Sequence, residues 1–389
     1  MPALSLALGI LIGSAAFVLY VLFGYPLWLA SISRKQARQV HTAVTSKTVT
    51  IILPVRNGER WVAEKLRSIL ALDYPRELVN VIVISDGSTD HTDEIVARFD
   101  SERIQLVRLP SAGKATAINH GLSLATGEII FFTDVRQRLD RDSLRHLVDC
   151  FSDPTVGVVS GELVILGGED QEQANVGLYW KYEKWIRCNL SKLDSVLGAT
   201  GCIYAMRKCL AVSLPLDTLL DDVYQPMAAF LKGYRVILET KAKAFDYPTA
   251  LSSEFRRKVR TLAGVLQIVY FYPRLLSFSN RMWIHFVSHK IGRLLLPFAL
   301  LAVLGSSLML TGAGAAFVLA CQALFYSLAL ADLWIPDGWR VKRISSPIRV
   351  FVVLMIAALC AFSVLFRNAQ AMWNVTEVRP PSRDLGMTV

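Results

Sequence analysis

The six cysteines (Cys150, Cys188, Cys202, Cys209, Cys321 and Cys360) form no CxxC pair and no other metal-ligand spacing. A zinc ribbon and a disulfide-stapled secreted scaffold are therefore excluded as organising devices. Two of the six lie inside apolar, membrane-like segments, and all read as reduced packing residues, which suits a cytosolic soluble part. Internal repeats and low-complexity runs are also missing, so no repeat array or low-complexity tail shapes the chain. The apolar N-terminal stretch is followed by no small-residue cleavage site and reads as uncleaved. What the 389 residues do contain is a 53% apolar fraction and a formal net charge of +10. Much of that positive excess sits in short clusters beside apolar segments. Such clusters suit an anionic cytoplasmic membrane leaflet, and no nucleic-acid partner is expected.

The chain is organised around Glu128 to Arg136, EIIFFTDVR. Ile129 to Thr133 has the composition of a strand buried on both faces, and it runs directly into Asp134, Val135 and Arg136. Val79 to Ile84 is a second such strand, ending in Ser85-Asp86-Gly87. In an open parallel sheet, ligands bind beyond the carboxyl ends of the strands, so both carboxylates face a crevice. Two acids delivered to one edge point to a nucleotide and a metal.

Along the chain, residues 1–33 form the first membrane candidate. Leu4 to Ile32 is almost wholly apolar, exceeds the ~20 residues a bilayer requires, and is followed by Arg34, Lys35 and Arg38. That basic cluster places the next part in the cytoplasm. Residues 48–250 read as an α/β domain. Strands are expected at Val49–Val55, Val79–Ile84, Ile104–Leu109 and Val156–Leu163, with Asn57 capping a helix that follows the first. Helices at Thr92–Phe99 and Ala115–Leu124 alternate with the strands, which implies crossover connections and a mostly parallel sheet. An aromatic helix, Asn175–Leu193, carries Tyr179, Trp180, Tyr182 and Trp185. Residues 251–290 open with EFRRKVR and read as amphipathic interface helices. Three spans within 291–368 follow, at Leu294–Leu310, Ala315–Trp334 and Ile348–Phe366, and 369–389 is a tail.

Seven short pieces keep the order and spacing of a known family: PVRNGE (54–59), ISDGSTD (84–90), GKATAIN (113–119), FTDVR (132–136), GATGCIYAMR (198–207), LDDV (220–223) and RKVR (257–260). Through them, roughly Val49 to Gln267 resembles the membrane-bound family 2 glycosyltransferases, the group with cellulose, hyaluronan and chitin-oligosaccharide synthases. The resemblance implies a GT-A fold, a Rossmann-like and mostly parallel sheet with flanking transmembrane helices. It also implies a nucleotide-diphosphate sugar, usually a UDP-sugar, and inversion at the anomeric carbon.

The residues suit the implied roles. Glu59 and Asp86 would accept hydrogen bonds from uracil and ribose, and Lys114 would neutralise phosphate. Asp134 is the first acid of the family's DxD motif and the expected ligand of Mg2+ or Mn2+. The last acid of that motif is replaced by Arg136. Either Asp134 and Asp86 still hold the ion through the diphosphate, or Arg136 takes over part of its electrostatic task. Asp222 is the expected general base on the acceptor hydroxyl, with Asp221 tuning it. Arg257 and Arg260 fall where the family has QxxRW and would grip the diphosphate. Thr261 stands in place of the tryptophan, which argues against long-chain polymerisation.

The expected protein is a multi-pass enzyme of a bacterial-type inner membrane, with a cytoplasmic catalytic domain. It would pass a sugar to a saccharide or lipid-linked acceptor in cell-surface polysaccharide or glycolipid synthesis, in company with assembly or export proteins. Alternatives are a processive synthase, a polyprenyl-phosphate sugar synthase and an inactive nucleotide-binding scaffold.

Overall fold

A computed structural model describes residues 2–99, 102–166, 171–247, 251–336 and 338–365, without the side chains of 2–3, 171–180 and 251–254. The expected tail at 369–389, the last residue of the final span and the side chains of Tyr179 and Trp180 lie outside that description. The chain forms two compact units, one of 36–166 and 187–247, the other of 1–35, 167–186 and 248–389. The expected domain at 48–250 thus gives up residues 167–186 to the second unit.

The first unit is built on eight strands: β1 (Val49–Val55), β2 (Val79–Asp86), β3 (Ile104–Leu109), β4 (Ile129–Phe132), β5 (Arg138–Leu139), β6 (Val156–Ile165), β7 (Tyr204–Arg207) and β8 (Arg235–Asp246). They form one mixed, mostly parallel sheet in the order β3-β2-β1-β4-β7-β6-β8-β5. Val49 of β1 is level with Val79 of β2 and with Ile129 of β4, all three strands running parallel. Their carboxyl ends therefore share one rim. Every residue of β4 is buried, as is all of β1 except the half-buried Pro54. Continuous apolar runs are what a sheet covered on both faces requires.

The helix Val62–Leu70 buries Val62, Leu66 and Ile69 against this sheet, a spacing that lines one helical face. Ile51, Leu53, Val81, Val83, Phe131, Leu144 and Leu147 join them in one core. Each such side chain contributes roughly 1.5–3 kcal/mol through burial.

Asn57 does not cap that helix, which starts five residues later. At φ 49° it lies in the left-handed region that asparagine tolerates. Its Oδ1 accepts the Thr89 N–H at 2.8 Å and its own N–H donates to Ser88 Oγ at 3.2 Å, joining the loops after β1 and β2. The central strand also stops one residue short, at Phe132. Thr133 turns its hydroxyl to the Cys202 carbonyl, 2.7 Å away.

The other unit is helical. Leu4–Lys35, Trp283–Met309, Ala313–Ala331 and Lys342–Leu365 are long and apolar enough to cross a membrane. A π-helical turn at Tyr20–Gly24 interrupts the first. Glu183 meets His289 Nε2 at 3.2 Å and Arg293 Nη1 at 2.6 Å. Asp332 is wholly buried and receives Ser345 Oγ at 2.5 Å, Ser346 Oγ at 3.2 Å and Arg349 Nη1 at 3.1 Å. Those contacts tie the end of one apolar helix to the start of the next.

Candidate active site

Asp86, the last residue of β2, is held by the loop that leads to Lys114. Its Oδ1 accepts N–H groups from Ala112 (2.7 Å) and Gly113 (3.1 Å), and its Oδ2 accepts the Gly113 N–H at 3.0 Å. Gly87 permits this closure: it adopts φ +63°, and a Cβ there would lie 2.6 Å from the Ser111 nitrogen. Lys114 then opens the helix Lys114–Leu124.

Its ammonium sits between two carboxylates, 3.0 Å from Asp134 Oδ1 and 3.0 Å from Asp221 Oδ1. Burial by itself would lower the Lys114 pKa, but Asp134 and Asp221 outweigh it and raise the value, so the group stays cationic. Asp221 and Asp222 begin the helix Asp221–Leu231. The Asp222 carbonyl accepts the Ala199 N–H at 2.7 Å. A Cβ on Gly201 would approach Asp222 Oδ2 to 3.0 Å, so the GATG loop lies close against this acid where that residue lacks a side chain. Asp86, Lys114, Asp134, Asp221 and Asp222 therefore share one rim.

Glu59 lies on the loop after β1. Its Oε2 accepts the His91 N–H at 3.0 Å, and its own N–H donates to Asp90 Oδ2 at 3.0 Å. Arg136 turns to the end of β8, where its Nη2 meets Asp246 Oδ2 at 2.6 Å. Gln137 Nε2 donates to the same oxygen at 2.9 Å. Arg257 and Arg260 stand three residues apart on the helix Leu251–Phe271, in the helical unit, and so share a helix face.

Three residues at or behind the rim stand outside the expected site set. Tyr204 is wholly buried with its ring stacked 4.6 Å from Phe132, and its hydroxyl has no hydrogen-bond partner among the described residues. Burial first, then Asp221, Asp222 and Asp134, push this phenol well above its usual range and keep it a protonated donor. Asp246 ends a strand of mixed polarity with no local mark of its role. Lys65 does carry a mark, because it interrupts the apolar stripe of Val62, Leu66 and Ile69.

For a divalent ion, the described residues hold no cluster of three or more His, Cys, Asp or Glu side chains. Both Asp86 oxygens already accept backbone N–H groups. The Asp134 side chain is 38% exposed, with Lys114 on its Oδ1. One carboxylate completed by phosphate oxygens and water is a donor set that suits Mg2+, and Asp134 meets that requirement.

Residues 50–211 match the family model "Glycosyl transferase family 2". A poly-beta-1,6-N-acetyl-D-glucosamine synthase of Staphylococcus aureus is 24% identical over 229 residues, covering 56% of this chain and 54% of that protein. A probable glycosyltransferase of Bacillus subtilis, YdaM, is 28% identical over 126 residues, covering 30% of each. The match thus spans about half, or less, of the length of these curated relatives. In structure, the chain is similar to the mannosyltransferase PcManGT from Pyrobaculum calidifontis in complex with GDP-Man and Mn2+. The TM-score is 0.72 at 23% identity, covering 92% of this chain and 99% of that one, which shows a shared fold. With its motifs in order along a GT-A-like sheet, the chain carries a glycosyl transferase family 2 domain over residues 50–211.

Proposed function

We propose that the chain is an inverting glycosyltransferase acting at the cytoplasmic face of a membrane. It moves a sugar from a nucleotide-diphosphate sugar, a UDP-sugar by preference, to a saccharide or lipid-linked acceptor for cell-surface polysaccharide or glycolipid. The observation that carries this reading is the Lys114 ammonium between Asp134 and Asp221, with Asp222 next in sequence, at the carboxyl rim of the sheet.

The chemistry follows from what each group does. Lys114 offers its charge to the diphosphate, whose negative charge grows as the sugar leaves. Arg257 and Arg260, which fall where the family has QxxRW, are the residues the resemblance assigns as bidentate donors to a diphosphate. Asp222 takes the proton from the acceptor hydroxyl as that oxygen attacks C1 from the face opposite the diphosphate. Asp221, tied to Lys114, orients that base, while Glu59 and Asp86 engage the nucleoside. Asp134 is the residue that would hold Mg2+ or Mn2+, which when bound neutralises leaving-group charge. The 24% identity over 229 residues with a poly-beta-1,6-N-acetyl-D-glucosamine synthase supports a saccharide acceptor, and the four apolar helices support work at a bilayer.

The test is nucleotide release by the purified full chain in detergent. A panel of UDP-glucose, UDP-GlcNAc, UDP-galactose and GDP-mannose is run with and without EDTA. Release from a UDP-sugar that EDTA abolishes is expected. Activity that persists in EDTA overturns the ion at Asp134, and silence with every donor overturns the enzyme reading.

A further inference from the structure

We propose that Lys65 is a positioning residue: from behind the rim, its side-chain nitrogen fixes the turn that presents Asp134 to the donor's diphosphate. Lys65 is 1% exposed, although it lies on the helix face that otherwise carries Val62, Leu66 and Ile69. A leucine at that position would fill the core, whereas a lysine is costly to bury unless every N–H it offers is received. Its Nζ donates to Thr133 Oγ1 at 2.6 Å and to the Gln137 carbonyl at 2.6 Å.

Those two acceptors bracket Asp134, one residue before it and three after. The Thr133 hydroxyl donates its own hydrogen bond to the Cys202 carbonyl, which links the turn to the approach of β7. On the far side, Arg136 and Gln137 are fixed to Asp246. In front, Lys114 holds the Asp134 side chain itself. Burial lowers the Lys65 pKa to about 7, opposed by Cys202 and Asp134, and even the neutral amine keeps two N–H donors for its two acceptors. Lys65 touches neither donor nor acceptor in this scheme. It acts through the backbone and hydroxyl that set where the Asp134 carboxylate points.

The inference rests on the glycosyl-transfer reading, and it is tested with the full chain in detergent as Lys65→Met, Thr133→Val and Thr133→Ser. Two readouts are taken: nucleotide release with the best donor of the panel above, and calorimetric affinity for UDP in the presence of Mn2+. Loss of a residue that orients a ligating side chain typically costs about 10–100-fold in metal affinity or activity. Lys65→Met is therefore expected to keep the wild-type melting temperature or exceed it, to lower kcat on the order of 10–100-fold, and to raise half-saturating Mn2+ about 10-fold. Donor KM at saturating Mn2+ should change by less than about 3-fold, since the nucleoside contacts are untouched. Thr133→Val should reproduce the defect, and Thr133→Ser, which keeps the hydroxyl, should restore it.

Wild-type kcat and Mn2+ dependence in Lys65→Met would overturn the inference, as would a Thr133→Ser protein no better than Thr133→Val. Should Lys65→Met fail to fold, the Thr133 pair decides. Silence of the wild type with all donors strikes the glycosyl-transfer reading alone, because UDP affinity in Mn2+ across the same variants still decides the role of Lys65.

Discussion

Each unit of the chain contains a centre where carboxylates meet cations, and the two are built to opposite ends. Asp332, in the helical unit, is one wholly buried carboxylate facing the cations Lys342 and Arg349 and two serine hydroxyls. Lys342 also donates to the Asp332 and Ile335 carbonyls at 2.7 and 2.9 Å. Every group there is closed on another group of the chain. At the rim, Asp134 and Asp221 share the single ammonium of Lys114, with Asp222 adjoining and the Asp134 side chain 38% exposed. The first centre holds more cation than anion and has no opening. The second holds more anion than cation and opens outward. Acids completed within the chain fasten helices, whereas acids left in excess at the rim leave negative charge that a ligand can neutralise.

The contrast breaks first at Asp222. Asp222→Asn should lower turnover on the order of 10²–10⁴-fold, the usual contribution of a general base. Affinity for UDP should stay within about 3-fold, because the base acts on the acceptor. Kinetics of nucleotide release beside calorimetry will show the split. A variant that retains a tenth or more of wild-type turnover would move the base elsewhere, or point to an acceptor that is already an anion, as a lipid phosphate is.

Asp332→Ala should do the reverse, sparing the chemistry and weakening the fold. Removing one partner of a buried pair strands the other charge and costs about 3–5 kcal/mol. Thermal unfolding in detergent should therefore begin well below the wild-type midpoint. Turnover per folded molecule, measured below that point, should match wild type. A melting curve that does not move would show that water reaches Lys342 and Arg349.

How far these centres are legible in the sequence depends on how local their causes are. β1, β2 and β4 are short continuous apolar runs, each ending in a loop with an acid or a glycine, so both the rim and Asp86 and Asp134 can be read directly. β7 and β8 cannot. The first is four residues long, and the second carries Glu239, Thr240 and Lys241 in its middle, next to a β-bulge in its pairing with β6. This half of the sheet is therefore a product of long-range pairing rather than of pattern. Arg136 reads as a departure from the DxD motif, yet its partner Asp246 lies 110 positions away. Asn57 was expected at a helix start because asparagine caps helices; its contacts with the loop after β2 prevail instead. Lys65 stood in view as a charge on an apolar stripe, but its acceptors, Thr133 and Gln137, emerge only when the helix packs behind β4.

The smallest effect sharpens the contrast inside the sheet unit, between its two lysines. Lys114 faces carboxylates and stays charged, whereas desolvation lowers Lys65 from 10.5 to about 7. Between those two values the unfolded chain carries a proton on Lys65 that the folded chain has released. Raising the pH through this window removes a proton that only the unfolded state binds, so stability rises with pH. Below about pH 7 both states carry the proton and the contribution becomes constant. At 1.36 kcal/mol per unit of separation, the step from pH 7 to pH 8.5 is worth about 1–2 kcal/mol. Denaturant midpoints of wild type and Lys65→Met across that interval isolate the term, since other titrating groups are common to both proteins. Wild type should gain on the variant as the pH rises. A constant difference between the two would mean that Lys65 keeps an ordinary ammonium in the fold, solvated by water that reaches it past Thr133.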